Sequence, residues 1–76
     1  MNAADRAALA FAADILGRLP DVLTAELRRR GLSQEAAAGQ IGVDRQSVNR
    51  WAGGRRMPSA PDVGKVFRWL AGGGVR

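Results

Sequence analysis

The sequence predicts an all-α fold, a compact bundle of about five short helices. Apolar residues recur at three- and four-residue intervals, and no stretch alternates in the manner of a strand. Candidate N-caps at Ser33, Asp44 and Ser59 each stand just ahead of such a stretch. Glycine and proline divide the 76 residues into short segments. A chain of this length is expected to form one domain, residues 1–76, with its apolar side chains committed to a single core.

The first element is expected over residues 3–18. Ala8, Phe11, Ala12, Ile15, Leu16 and Leu19 make an apolar stripe, with Asp5, Arg6, Asp14 and Arg18 mostly off it. Gly17 and Pro20 mark its end. A second helix is expected from about Asp21 to Arg30, where Leu23 and Leu27 pair at i, i+4 and acids precede arginines as the helix dipole favours. Gly31 is its stop.

Ser33 then caps a short helix from Gln34 to Ile41, and Gly42 suits a left-handed turn. Asp44 caps the next helix, Arg45 to about Ala52, which Gly53-Gly54 closes. Ser59-Ala60-Pro61-Asp62 combines a cap, an early proline and a first-turn acid. It opens a last helix, about Ala60 to Ala71, expected to bury Val63, Val66, Phe67 and Leu70. Residues 72–76 are expected to form a loose tail. Trp51 follows Val48 on the inner face and reads as core, whereas Trp69 lies off the apolar stripe, suited either to a dimer contact or to partial burial against the first helix.

Composition removes most chemistry. Cysteine and histidine are absent, and with them disulfides, thiolate nucleophiles, the commonest general base and the usual zinc ligands. The seven carboxylates are scattered, and no phosphate-binding loop, dinucleotide fingerprint or nucleophile elbow occurs. An enzyme is not expected, nor are a cofactor, a metal or a small-molecule ligand. Asp5, Arg6 and Asp14 interrupt the N-terminal apolar residues, so neither a signal peptide nor a membrane span is expected, and the cytoplasm is the expected location. Abundant arginine, alanine and glycine fit a GC-rich bacterial or phage genome.

The formal net charge is +5, and its placement is informative. Between Arg28 and Arg56 seven arginines face only Glu35 and Asp44, a surplus of five, while the rest of the chain is balanced. Positive charge clustered over three elements points to a polyanion, and the few small apolar residues among it make a poor membrane-inserting face. Nucleic acid is the expected partner.

The middle of the chain is a helix, a tight turn at a glycine and a second helix, the arrangement that places a helix in the major groove of DNA. Ala38, Gly42 and Val48 supply the small, turn-forming and β-branched residues that close helix crossing needs. Leu32-Ser33-Gln34-Glu35, Ala38, Ile41-Gly42-Val43, Ser47-Val48, Arg50-Trp51, Gly54-Arg55-Arg56 and Pro58-Ser59 resemble the lambda-repressor-like (Cro and xenobiotic-response-element type) helix-turn-helix family. The resemblance covers roughly Val22 to Leu70, with the motif at residues 33–52 and residues 3–18 as an extra N-terminal helix. Ala37 stands where leucine is usual and Ala52 where an acid is usual, and a further helix common after residues 60–71 is missing.

The outer side of the second motif helix carries Asp44, Arg45, Gln46, Asn49 and Arg50, side chains suited to base edges: arginine to guanine, amides to adenine. The resemblance implies base reading foremost by Arg45, Gln46 and Arg50, then Asn49, with Asp44 last because it also caps. Gln34 is implied as a phosphate contact that also braces a side chain of the recognition helix. Ser47, Arg55, Arg56 and Arg30 are the further phosphate candidates. The implied protein is a sequence-specific double-stranded DNA-binding regulator, a small repressor of Cro type working by promoter occlusion as a homodimer on an inverted repeat. The dimer contact is expected from residues 3–18 or 60–76. The alternatives are an antitoxin or adaptor using its N-terminal helix for a partner, and an excisionase-like architectural protein.

Overall fold

In a computed structural model, residues 1–72 are described, and they form five helices in the order α1 (Ala3–Gly17), α2 (Leu19–Arg30), α3 (Gln34–Ile41), α4 (Arg45–Ala52) and α5 (Ala60–Leu70). The expected loose tail lies outside the described residues except for Gly72. Among the described residues no helix is long and apolar enough to cross a membrane.

Each start has a local cause. Asn2, Ser33 and Asp44 sit in extended backbone and accept hydrogen bonds from the N–H groups of Asp5, Ala36 and Ser47 at 2.8, 3.1 and 2.7 Å. Ser59 occupies the same position ahead of α5 without capping a backbone N–H. Its hydroxyl instead donates to the Asp62 carboxylate at 3.2 Å.

The boundary between α1 and α2 differs from expectation. Arg18 alone separates them, and α2 starts at Leu19, two residues before the expected Asp21. Pro20 stands in the first turn of α2, where its missing N–H costs nothing, so it opens this helix instead of closing the previous one. Leu19 thereby leaves the α1 stripe and becomes a fully buried anchor of α2.

The core comprises Leu19 and Leu23 from α2, Ala37, Ala38 and Ile41 from α3, Val48 and Trp51 from α4, and Val66 and Trp69 from α5. No residue of α1 is fully buried, and this helix, drawn from its periodicity as an apolar element, reaches the core only through the partly buried Leu16. Ile15 and Leu16 near its end are half-buried, while Phe11 remains 67% exposed. The reason is geometric: α1 leans on α2 at its C-terminal end, and its outer turns extend past the bundle.

The inward face of α5 is rotated from the expected stripe. Val66 is buried as expected, but Val63, Phe67 and Leu70 are only half-buried, and Trp69 takes the core position. Two polar groups make that burial favourable. The indole Nε1 donates to Gln40 Oε1 at 2.8 Å, and the Arg30 guanidinium lies 4.1 Å from the ring centroid. Arg30 also donates to the Trp69 carbonyl at 2.7 Å, which ties the end of α2 to the end of α5.

Candidate nucleic-acid interface

The candidate recognition surface is built on α4. Val48 and Trp51, three residues apart, are 0% and 3% exposed and fix the inner side of the helix against α2 and α3. The opposite side presents Arg45, Gln46, Asn49 and Arg50, all exposed. Burial of two large side chains in an eight-residue helix leaves it no rotational freedom, so the outward residues are held in one register.

Backbone turns set the entry and exit of α4. Gly42 adopts φ +93°, and both Gly42 and Val43 donate to the Ala38 carbonyl, at 2.8 and 3.0 Å. A side chain there would meet no neighbour, so the backbone angle itself requires glycine. At the far end Arg55 N–H donates to the Arg50 carbonyl and Gly54 N–H to that of Trp51, a Schellman closure with Gly54 at φ +72°. The Cβ position of Gly54 is 3.5 Å from the Pro20 ring, which seats the start of α2 against the end of α4.

A side-chain relay crosses the same surface. Asn49 Nδ2 donates to Gln34 Oε1 at 2.9 Å, and Arg55 Nη2 donates to Asn49 Oδ1. Gln34 thus braces α4 from the first turn of α3, and both ends of the Asn49 amide are engaged. Gln34 keeps its amide N–H groups and Arg55 its remaining guanidinium N–H groups, so the relay still presents several donors, as an anionic oxygen requires. Beside it, Ser47, Arg50, Arg56, Met57, Ser59 and the carboxylate of Asp62 line an open recess between α4 and the start of α5.

The remaining candidates fall into two groups. Asp44 is exposed, and the hydrogen bond from Ser47 N–H holds its carboxyl below the usual aspartate range, so it stays a charged cap. Ser47 is half-buried, and Arg55 and Arg56 are exposed. Arg30 does not share that surface. Its side chain is 9% exposed, its Nε pairs with Glu26 at 2.7 Å, and Nη1 is buried without a partner among the described residues. That guanidinium is used inside the fold, so the phosphate role expected for it has no exposed group to perform it. Arg28 and Arg29 are exposed, and Glu26 holds Arg29.

Sequence reasoning missed the Asn49–Arg55 link and the internal use of Arg30. Glu26 and Arg30 at i, i+4 were a visible signal for the second. The first joins residues on either side of the Gly53-Gly54 turn, which periodicity does not connect.

A glycine-turned helix pair with a buried inner face and a basic outer face is now in place, and the family comparison agrees with it. Residues 23–74 match the family model described as Helix-turn-helix domain. The chain belongs to the helix-turn-helix family. The match begins within α2, runs through α5 and leaves α1 outside it. Helix-turn-helix domains are DNA-binding modules, typically without catalytic activity, and the match indicates a DNA-binding regulator. Comparison with curated proteins and with solved structures gave no match.

Proposed function

We propose that this helix-turn-helix protein is a sequence-specific double-stranded DNA-binding transcriptional regulator, a small cytoplasmic repressor of Cro type that occludes a promoter. The observation carrying this reading is the exposed row Arg45, Gln46 and Arg50 on a helix immobilised by Val48 and Trp51. With α4 in the major groove, Arg45 and Arg50 address guanine O6 and N7, and Gln46 addresses adenine N6 and N7. Each well-formed bidentate pair discriminates by about 1–3 kcal/mol.

In this reading Gln34, Ser47, Arg55 and Arg56 hold phosphates on either side of the groove and set the register without reading sequence. Asn49 acts as a brace, since its amide is engaged at both ends, and Asp44 acts as a cap. One copy covers only a few base pairs, so two copies bind an inverted repeat with their recognition helices one DNA turn apart.

The test is selection of the protein against a randomised duplex library at physiological salt, followed by sequencing. An inverted repeat should be enriched, and Gln46→Ala or Arg50→Ala should abolish or alter the preference. Arg56→Ala should instead weaken all sequences alike and reduce the salt dependence by roughly one phosphate equivalent. Salt-sensitive binding with no enriched sequence would overturn sequence reading.

A further inference from the structure

Three of the four exposed large apolar side chains among the described residues lie in or beside α1. Met1, Leu9 and Phe11, in or beside α1, are 77%, 55% and 67% exposed. Phe11, Ala12 and Ile15 form one bank of an open groove, and Val22, Phe67 and Leu70 form the other. The groove is almost entirely apolar, and it runs between an element outside the family match and the last helix inside it. An open apolar groove flanked by an exposed phenylalanine is an interaction surface.

We propose that this groove is the homodimer interface, with α1 of a second copy lying antiparallel against it and each Phe11 seated in the other copy's groove. The proposal refines the homodimer part of the functional reading above. Three observations select a second copy as the occupant.

The first is charge. The whole surplus of +5 lies between Arg28 and Arg56, so two copies repel wherever those segments meet. Asp5, Arg6 and Asp14 in α1 and Arg18 just after it sum to zero, and Asp14 already pairs with Arg18 at 2.7 Å. A nucleic acid or a strongly charged protein finds no complementary rim here, whereas an identical segment with no net charge meets no penalty.

The second is shape. A two-fold interface must mate a surface with itself, which requires a projection and a recess in the same patch. Phe11 projects beside a groove, and Ala4 and Ala8 on the same face let a second backbone approach closely. Met1, Ala4, Ala8, Phe11 and Ile15 follow the alternating three- and four-residue spacing of a helix-pairing seam.

The third is size. A 15-residue helix is about 22 Å long, so an α1–α1 pair with the groove rims makes an interface at the small end of the specific range, roughly 1,000–1,200 Å² in total. That size suits a weak dimer in solution that two adjacent half-sites on DNA reinforce.

The test uses the full chain. Sedimentation analysis from about 1 to 300 µM should show a monomer–dimer equilibrium, and Phe11→Asp should weaken it at least about tenfold while circular dichroism stays unchanged. The chain has no cysteine, so single substitutions report geometry directly. Ala8→Cys should cross-link into a dimer on oxidation, and Ala13→Cys, off the seam, should not. A parent monomeric over the whole range, a Phe11→Asp variant that dimerises like the parent, or equal cross-linking at 8 and 13 would each overturn the proposal. Library selection separates it from the DNA reading. Phe11→Asp should enrich a single half-site in place of the repeat, supporting both. No enrichment for either protein, beside a dimer lost on Phe11→Asp, would sink the DNA reading and leave the interface standing.

Discussion

The longest and one of the two shortest helices of this protein are fixed in opposite ways. α1 has fifteen residues, a hydrogen-bonded cap at Asn2 and an Asp14–Arg18 pair, yet none of its residues is buried. α4 has eight residues, and it is held by Val48, Trp51, the Asp44 cap, the Gly54 closure and the Gln34–Asn49–Arg55 relay. A helix of eight residues would not persist alone in water, so its order comes from packing. The contrast shows where rigidity is concentrated: in the short helix whose outer face carries Arg45, Gln46 and Arg50, while the long one keeps its apolar face open.

That contrast is open to direct attack, beginning with the largest effect. Trp51→Ala should cost about 3–5 kcal/mol in denaturant unfolding, a large part of the stability of so small a domain, whereas Phe11→Ala should cost under about 0.5 kcal/mol at concentrations where the chain is monomeric. Equal costs would mean that α1 belongs to the core after all. Acid should act on the anchored part. Hydrogen bonds from Arg29 and then Arg30 hold the Glu26 carboxyl down at about 2, against an ordinary 4.5. The folded value is the lower one, so this stabilisation is complete above about pH 4.5 and disappears as the pH falls toward 2. With allowance for the exposed Arg29, the loss should be on the order of 1–2 kcal/mol, and Glu26→Gln should flatten that part of the stability profile.

Smaller effects sharpen the comparison further. Gln34→Ala and Asn49→Ala should each lower stability by about 1 kcal/mol, and the double variant should fall short of their sum, because both break one hydrogen bond. Affinity for duplex DNA should drop in both without a change of preferred sequence. Additive losses would mean that the relay does not operate in solution. The caps distinguish the two regions most finely. Ser33→Ala should cost about 1 kcal/mol of global stability, while Asn2→Ala should reduce helicity by circular dichroism and leave the denaturant midpoint nearly unmoved.

Much of this organisation was legible in the sequence because it is locally determined. Ser33, Gly42 and Asp44 mark the motif helices, and the Val48–Trp51 spacing identifies the inner face of α4. Long-range pairings were not legible. Trp69 looked peripheral because the groups that make its burial favourable, Gln40 and Arg30, lie 29 and 39 positions away. Arg30 reads from the sequence as a phosphate contact; its spacing from Glu26 hints at an ion pair, but its bond to the Trp69 carbonyl and its place over the indole come only with the fold. The stripe on α1 shows that a helix has an apolar face, and periodicity does not say whether the same chain covers it. For the interface, the outward row on α4 could be read from spacing, whereas the engagement of Asn49 by Arg55 depends on how the Gly53-Gly54 turn folds back.

The placement of the two indoles has an optical consequence. With no tyrosine in the chain, its near-ultraviolet emission comes almost wholly from Trp51 and Trp69, 3% and 1% exposed and each in a different helix of the core. The native spectrum should therefore be blue-shifted, and its move to the red should report the opening of α4 and α5. Trp69, with a guanidinium stacked on its ring, should emit differently from Trp51, so the two signals separate with a single Trp→Phe exchange. The protein thus carries one intrinsic reporter on α4 and another on α5, where Arg30 ties the end of α2 to the end of α5.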